Sequence, residues 1–405
     1  MVDMKSLREL LILGPGPSSS HTIGPYRIVQ AFKKEHGSDF HDVEVILKGS
    51  LSLTGKGHGT DRILRQAFDE TPVRVRFEDA IDSEHPNTLV LIGHKEDGKE
   101  IQETYYSIGG GAFRKKGQAY APKDIYPFST FDGMKKYMAS HGVEDIYELV
   151  EMVEGKDILE YGKSLLEHSF STIESGLKET AILPGPLKLV PVAGKICQKA
   201  MEEDRRKDRR MLLLAAFSYA TSEENARGKE VVTSPTCGAS GVVPAVLYYE
   251  KKFRLRQPDE LARAYLVGAL ICDFIKENAA ISGAMYGCQA EIGSAASFAS
   301  AALAYLDGLS VYQIEYAAEV AMEHFLGLTC DPVDGYVQIP CIERNAMAAI
   351  HSYAAYLFSK DIALYRHNLV SFDNVVRAMK ETGQELPPDL KETSLGGLAK
   401  IIGNC

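Results

Sequence analysis

The sequence predicts an α+β domain over residues 1–152 followed by a mostly α-helical domain over residues 153–405. Two observations carry this. Short runs that alternate apolar and polar residues, the pattern of half-buried strands, are confined to the first part of the chain. Beyond residue 155 apolar residues recur at three- and four-residue intervals, and no convincing strand follows residue 180. The change falls in the charged stretch ELVEMVEGKD.

The first element is a helix over 25–36, PYRIVQAFKKEH, whose Pro25 suits a first helical turn. Strands follow at 42–49 (DVEVILKG), 72–79 (PVRVRFED) and 87–94 (NTLVLIGH), and a fourth at 103–113 (ETYYSIGGGAF) ends in glycines. In the second part, helical periodicity runs through 159–180, 261–281, 294–309, 310–328, 345–360 and 372–382. These segments are rich in Ala, Gly and Ser, so their helices are expected to approach closely. The charged run 201–210, MEEDRRKDRR, reads as a solvated helix face.

Of 405 residues, 45 are basic and 55 acidic, a net charge of −10, and no basic block stands out. This argues against nucleic acid as the main partner. No secretory leader is recognisable at the start, because Asp3, Arg8 and Glu9 interrupt the short apolar run. The longest uncharged run, 231–249, holds Pro235 and Pro244 and reads as a loop entering a helix, not a membrane span. Seven cysteines, an odd number, predict free thiols in a reducing, cytoplasmic setting.

Cys197 and Cys272 sit in helix-like apolar patterns and read as buried small hydrophobes. Three others differ. Cys288 lies in SGAMYGCQAEIGSAA, and Cys330 and Cys341 lie in LTCDPVDGYVQIPCIERN, at separations of 330 − 288 = 42 and 341 − 330 = 11. Each stands near Gly or Pro, hence in a loop or at a helix end, where free N–H groups stabilise thiolates. Converging, they would form a soft anionic metal site. Zinc would want a fourth Cys or His, which the usual spacings do not supply. A four-iron cluster on three cysteines would leave one iron open as a Lewis acid. Spacing alone leaves a metal site level with three unrelated core thiols. The polar neighbours Asp331, Asp334, Glu343, Arg344 and Asn345 favour the metal site.

Two further segments carry chemistry. GPGPSSSHTIGP (14–25) leads small residues into a helix, so that backbone N–H groups and the hydroxyls of Ser18, Ser19 and Ser20 can cradle an anion such as a carboxylate, with His21 as donor or base. It lacks the Gly-Lys-Ser/Thr ending of a phosphate loop. GSLSLTGKGHGTDR (49–62) is a second Gly-rich turn with Lys56, His58, Thr60 and Asp61, and a histidine between two glycines suits a cleft better than a core. SEHPNT (83–88) and SPTCGASGVVPAV (234–246) are weaker, turn-like signals.

Together these segments resemble the iron–sulfur L-serine dehydratases. The resemblance lies in GPSSSHTIGP, GSLSLTGKGHGTD, HPN, YSIGGGAF, GASGVVPAV, GCQAEIGSA and HFLGLTCDPVDGYVQIPCIERNAM, in order along nearly the whole chain. It implies a β-type domain fused to a helical α-type domain, a homodimer, and conversion of L-serine to pyruvate and ammonia. It implies a [4Fe-4S] cluster on Cys288, Cys330 and Cys341. Ser18, Ser19, His21 and His58 would then close over that cluster, with His58 first and His21 second as the base; Ser20, Lys56 and Thr60 join them as substrate contacts. The chain ends IIGNC, and the resemblance implies that Cys405 reaches back to the fourth iron. Three departures stand out: Asp334 where glycine is expected, no paired arginines in LKLVPVAGK (187–195), and Cys237 as a rival ligand in PTCGASG. Two other readings remain. One is a pyridoxal-phosphate dehydratase using SIGGGAF as phosphate loop, which needs a Schiff-base lysine that no segment supplies convincingly. The other is a cluster-bearing amino-acid or redox sensor without turnover.

Overall fold

A computed structural model describes residues 4–78, 84–119, 122–202 and 207–402. A short strand, β1 (Leu13–Pro15), precedes a tight turn at Ser19–Ile23 and the helix Gly24–His36. Then come β2 (Phe40–Gly49), β3 (Val73–Glu78), β4 (Asn87–Lys95), β5 (Glu100–Gly109) and β6 (Ala112–Lys115), in one sheet of order β3-β2-β4-β5-β6. Only β2 and β3 are parallel; the other neighbours are antiparallel.

A parallel pair cannot be joined by a hairpin and needs a crossover. Here the crossover is the segment between β2 and β3, made of the short helical turns Ser50–Leu53 and Gly55–His58 and the helix Thr60–Ala67. The segment expected as a Gly-rich turn is therefore helical, and it places His58 beyond the C-terminal end of β2. The strand expected over 103–113 is instead a hairpin. Gly109, Gly110 and Gly111 all have positive φ (102°, 59° and 84°), which only glycine adopts without strain, and they turn β5 into β6.

Val43, Val45 and Leu47 alternate onto the buried face of β2 and pack with Leu89, Leu91, Ile28, Phe32 and Leu64. This is the sheet's own core, covered by helices Gly24–His36 and Thr60–Ala67. A second, larger core fills the helical body, where Ile158–Gly176, Arg209–Ala226, Pro258–Asn278, Ile292–Leu306, Val311–Glu323 and Cys341–Ile362 pack together. Helix Ile292–Leu306 runs through its middle with Ala295, Ala296, Ala299, Ala301 and Ala302 fully buried. Two of its buried hydroxyls are satisfied across the helix contact, Ser297 Oγ donating to Ala318 O (2.7 Å) and Ser300 Oγ to Ala317 O (3.0 Å).

The first residues belong to this larger core. Met4, Leu7, Leu10 and Leu11 are fully buried in it, with Tyr126, Phe131, Leu149 and Val150. β1 then pairs antiparallel with β7 (Glu230–Val232), with Leu13 opposite Val232. No strand was expected after residue 180. β7 is three residues long and owes its existence to a partner more than 200 residues away, which no local periodicity can reveal. The run 201–210 is only partly within the described residues. Among the described residues no helix is long and apolar enough to cross a membrane.

Candidate functional site

Three thiols line one buried cavity, together with Pro17, Ser18, His58, Gly238, Glu291, Pro332 and Glu392. Cys288 opens a short helical turn that follows Gly287 and leads into helix Ile292–Leu306. Cys330 lies in an extended segment bridged to Lys391. Cys341 is the first residue of helix Cys341–Ile362, where the free N–H groups of the first turn favour negative charge. The Sγ atoms of Cys288 and Cys330 and a carboxylate oxygen of Glu291 lie within 4.8 Å of one another. A hydrogen bond from Cys330 holds the Cys288 thiol down at about 7, with burial opposing and the Arg344 guanidinium assisting. The same bond, with burial, pushes Cys330 up. Burial and the charge on Cys288 push Cys341 up.

Arg344 braces this loop. Its guanidinium donates to Thr329 O (2.7 Å) and to Asp331 Oδ1 (3.0 Å), on either side of Cys330. Asn345 ties the turn before helix Val242–Phe253 to the start of Cys341's helix: Nδ2 donates to Gly238 O and Cys341 O, and Oδ1 accepts from Gly241 N. Soft sulfur donors in one closed cavity, with a guanidinium to offset their charge, suit an iron–sulfur cluster better than a hard oxygen-seeking ion.

The histidines face the thiols from the sheet side. The His21 and His58 rings stack with centroids 4.3 Å apart. His58 Nδ1 bonds Thr54 O (2.9 Å); a carbonyl only accepts, so Nδ1 carries the hydrogen and Nε2 keeps its lone pair in the neutral ring. His21 has the opposite tautomer. Thr54 Oγ1 spends its hydrogen on Ser50 O and Ser50 Oγ spends its own on Glu392 O, so both accept from His21 Nε2–H, at 2.9 and 3.3 Å. His21 Nδ1 then accepts from Ser20 Oγ (2.9 Å). Burial first, and the charge of His58 second, lower His21 to about 4. The two rings thus differ in surroundings: His21 is hydrogen-bonded at both nitrogens, and His58 turns Nε2 toward Glu392 Oε1 at 3.5 Å.

Residues 6–68 match the family model described as serine dehydratase beta chain, and residues 116–399 match serine dehydratase alpha chain. The L-serine dehydratase of Streptomyces coelicolor is 36% identical over 99% of both chains. L-serine dehydratase 2 of Escherichia coli strain K12 is 36% identical over 99% of this chain and 100% of its own. The chain belongs to the serine dehydratase family. The L-serine dehydratase of Haemophilus influenzae is similar at 34% identity over 99% of this chain.

Within this serine dehydratase, the structure brings Ser18, His58, Cys288, Cys330 and Cys341 into one cavity, with His21 stacked behind His58. Ser18 Oγ accepts from His21 N (3.3 Å) and caps the turn. Ser19 Oγ faces the other half of the molecule and accepts from Cys237 N (2.7 Å). Two expected substrate contacts are not brought together with these. Lys56 is exposed and lies over the Phe77 ring (5.3 Å), because the helical turn Gly55–His58 points residues 56 and 58 in different directions. Thr60 is buried beside Gly55, at the start of its helix, and does not line the cavity. Cys405 lies outside the described residues. Cys237 packs with Ile23 and Val231, and burial pushes its thiol up to about 12. SIGGGAF forms the β5–β6 turn, and the side chains of Ile281 and Ile23 pack against Gly110 and Gly111.

Sequence reasoning missed Ser50, Thr54 and above all Glu392. Ser50 and Thr54 stand in the quoted Gly-rich segment, where their hydroxyls were legible but their partner was not. Glu392 lies in a tail without periodicity, and only the fold carries it to the histidines. At Asp334, where glycine was expected, φ is +51°, so the position needs the left-handed conformation that glycine adopts freely and aspartate tolerates.

Proposed function

We propose that this chain deaminates L-serine to pyruvate and ammonia, with Cys288, Cys330 and Cys341 holding a [4Fe-4S] cluster. The observation that carries the reading is the convergence of these three thiols with His58 in one cavity, in a chain aligned end to end with L-serine dehydratases. When bound, the cluster would supply a Lewis acid for the β-hydroxyl, whose departure as hydroxide is otherwise difficult.

The chain's own residues supply the rest. His58 takes the α-proton at Nε2, its tautomer fixed by the bond from Nδ1–H to Thr54 O. His21 stays neutral behind it and holds Ser20 and Thr54 in register. The Ser18–Ser20 turn receives the substrate carboxylate. Loss of the α-proton and the hydroxyl releases water and leaves an enamine, which tautomerises and takes up water to give pyruvate and ammonia. The reading extends to Cys405 as a tail ligand, to a homodimer and to a reducing cytoplasmic setting, the last consistent with six free thiols among the described residues.

Anaerobic purification with iron quantitation, followed by a pyruvate-coupled assay with L-serine, tests the proposal. Full activity without iron would refute the cluster; iron without pyruvate would leave the sensor reading in its place.

A further inference from the structure

Three carboxylates surround the thiols, and they are not equivalent. Asp331 is matched: Arg344 donates to one oxygen at 3.0 Å and Leu398 N to the other at 2.8 Å. Glu291 bonds Thr236 and, through burial and the nearby Cys288, is pushed well up toward its neutral form. Glu392 differs from both. It is 4% exposed and its Oε1 faces His58 Nε2 at 3.5 Å and His21 Nδ1 at 3.7 Å; against burial, the two histidines and the Ala284 N–H favour its charged form, while Oε2 has no partner within good hydrogen-bond geometry.

The backbone holds this side chain in place from both sides. Glu392 N donates to Cys330 O (2.7 Å) and Glu392 O accepts from Ser50 Oγ (2.8 Å), which pins the residue at φ +57°, a conformation a glutamate adopts only under constraint. A buried carboxylate oxygen left without a donor is costly and calls for an explanation, and here the oxygen belongs to a side chain that lines the cavity of the thiols. Among the described residues the nearby guanidinium, Arg344, is already committed to Thr329 and Asp331.

We propose that Glu392 binds the α-ammonium of the substrate amino acid. This rests on the serine-deaminating reading of the same cavity. An ammonium brings three donors, enough for Oε2 and a neighbouring acceptor together. The two oxygens of one carboxylate then divide the work: Oε1 faces the base nitrogen of His58, and Oε2 holds the nitrogen attached to the carbon that loses its proton. Placing the ammonium there sets the Cα–H beside His58 Nε2. Glu392 is thereby the residue that separates an amino acid from the corresponding hydroxy acid.

The test compares L-serine with L-glycerate, which carries a hydroxyl in place of the ammonium, on anaerobically purified full-length protein. Binding is read by calorimetry and by competitive inhibition of pyruvate formation, with iron per chain and circular dichroism measured alongside. In Glu392→Gln the L-serine KM and Kd rise about 10- to 100-fold, the loss of one charge-assisted contact, while L-glycerate binding is unchanged. Glu392→Asp restores part of the preference for L-serine. The assignment is overturned if both ligands weaken equally in Glu392→Gln, or if L-serine binding does not change. Should Glu392→Gln lose its iron, the same two titrations in Glu392→Asp decide, a selective loss for L-serine supporting the assignment and a parallel loss overturning it. Wild-type protein that makes no pyruvate from L-serine would instead sink the reading of the reaction itself, independently of any variant.

Discussion

His21 and His58 lie ring on ring, their centroids 4.3 Å apart and their planes 27° apart, yet their hydrogen bonds give them opposite tautomers. The contact joins the turn before helix Gly24–His36 to the crossover between β2 and β3. Because Thr54 accepts from both rings, through its hydroxyl from His21 and through its carbonyl from His58, a single residue sets which nitrogen of each ring carries the hydrogen.

His58→Gln is therefore expected to lower kcat by about 10²- to 10⁴-fold, the usual contribution of a positioned base, while iron content stays at the wild-type level. A pyruvate-coupled assay beside an iron determination checks this, and unchanged turnover would remove His58 from the role.

Cys341→Ala is expected to lose bound iron and the brown colour of the anaerobic protein, and L-serine turnover with them. Cys237→Ala, at the neighbouring buried thiol, should keep both. Iron per chain measured on the two variants side by side separates a cluster ligand from a packing residue.

Acid should weaken the fold through His21. The unfolded chain takes a proton on this residue near 6.5, the folded chain only near 4, so its contribution is complete above pH 6.5 and is lost as pH falls toward 4. The difference corresponds to roughly 3 kcal/mol. Buried carboxylates such as Asp273, raised to about 6 by burial, act with the opposite sign, so the comparison must be differential. Denaturant titrations of wild type and His21→Gln between pH 7 and 4.5 should converge as the pH falls.

Gly57 sits where the His58 turn meets the cysteine loop. A Cβ there would collide with the carbonyl oxygen of Gly335 and lie 2.9 Å from that of Asp334. Gly57→Ala should cost about 1–3 kcal/mol of stability and, by displacing His58, about 10²-fold in kcat. Thermal melts and kinetics on one preparation test both.

Arg344→Ala leaves Asp331 buried without its cation, and a loss of about 3–5 kcal/mol is expected. In the Arg344→Ala, Asp331→Asn double variant the loss should be smaller than the sum of the two single effects. A double-mutant cycle in denaturant measures the coupling.

Much of the cavity was legible as local motifs. Cys288, Cys330 and Cys341 announced themselves by their Gly and Pro surroundings, and Ser18, His21 and His58 by small residues leading into helices. The periodic helices were legible because each buries a face of its own. What was not legible came from distance along the chain. Glu392 acts through a segment that has no pattern and is fixed by bonds to Cys330 and Ser50. Lys56 was misplaced because a Gly-rich stretch read as an open turn is wound into helix, which sends adjacent side chains to different faces.

The pairing of β1 with β7, and the burial of Met4, Leu7, Leu10 and Leu11 among the later helices, have a consequence for dissection of the molecule. A chain cut after residue 152 leaves β1 on one piece and its partner β7 on the other, and strips Met4, Leu7, Leu10 and Leu11 of the later helices that complete their core. The first dozen residues thus tether the sheet that carries His58 to the helical body that carries the thiols, and loosening them is expected to slacken the approach of one to the other.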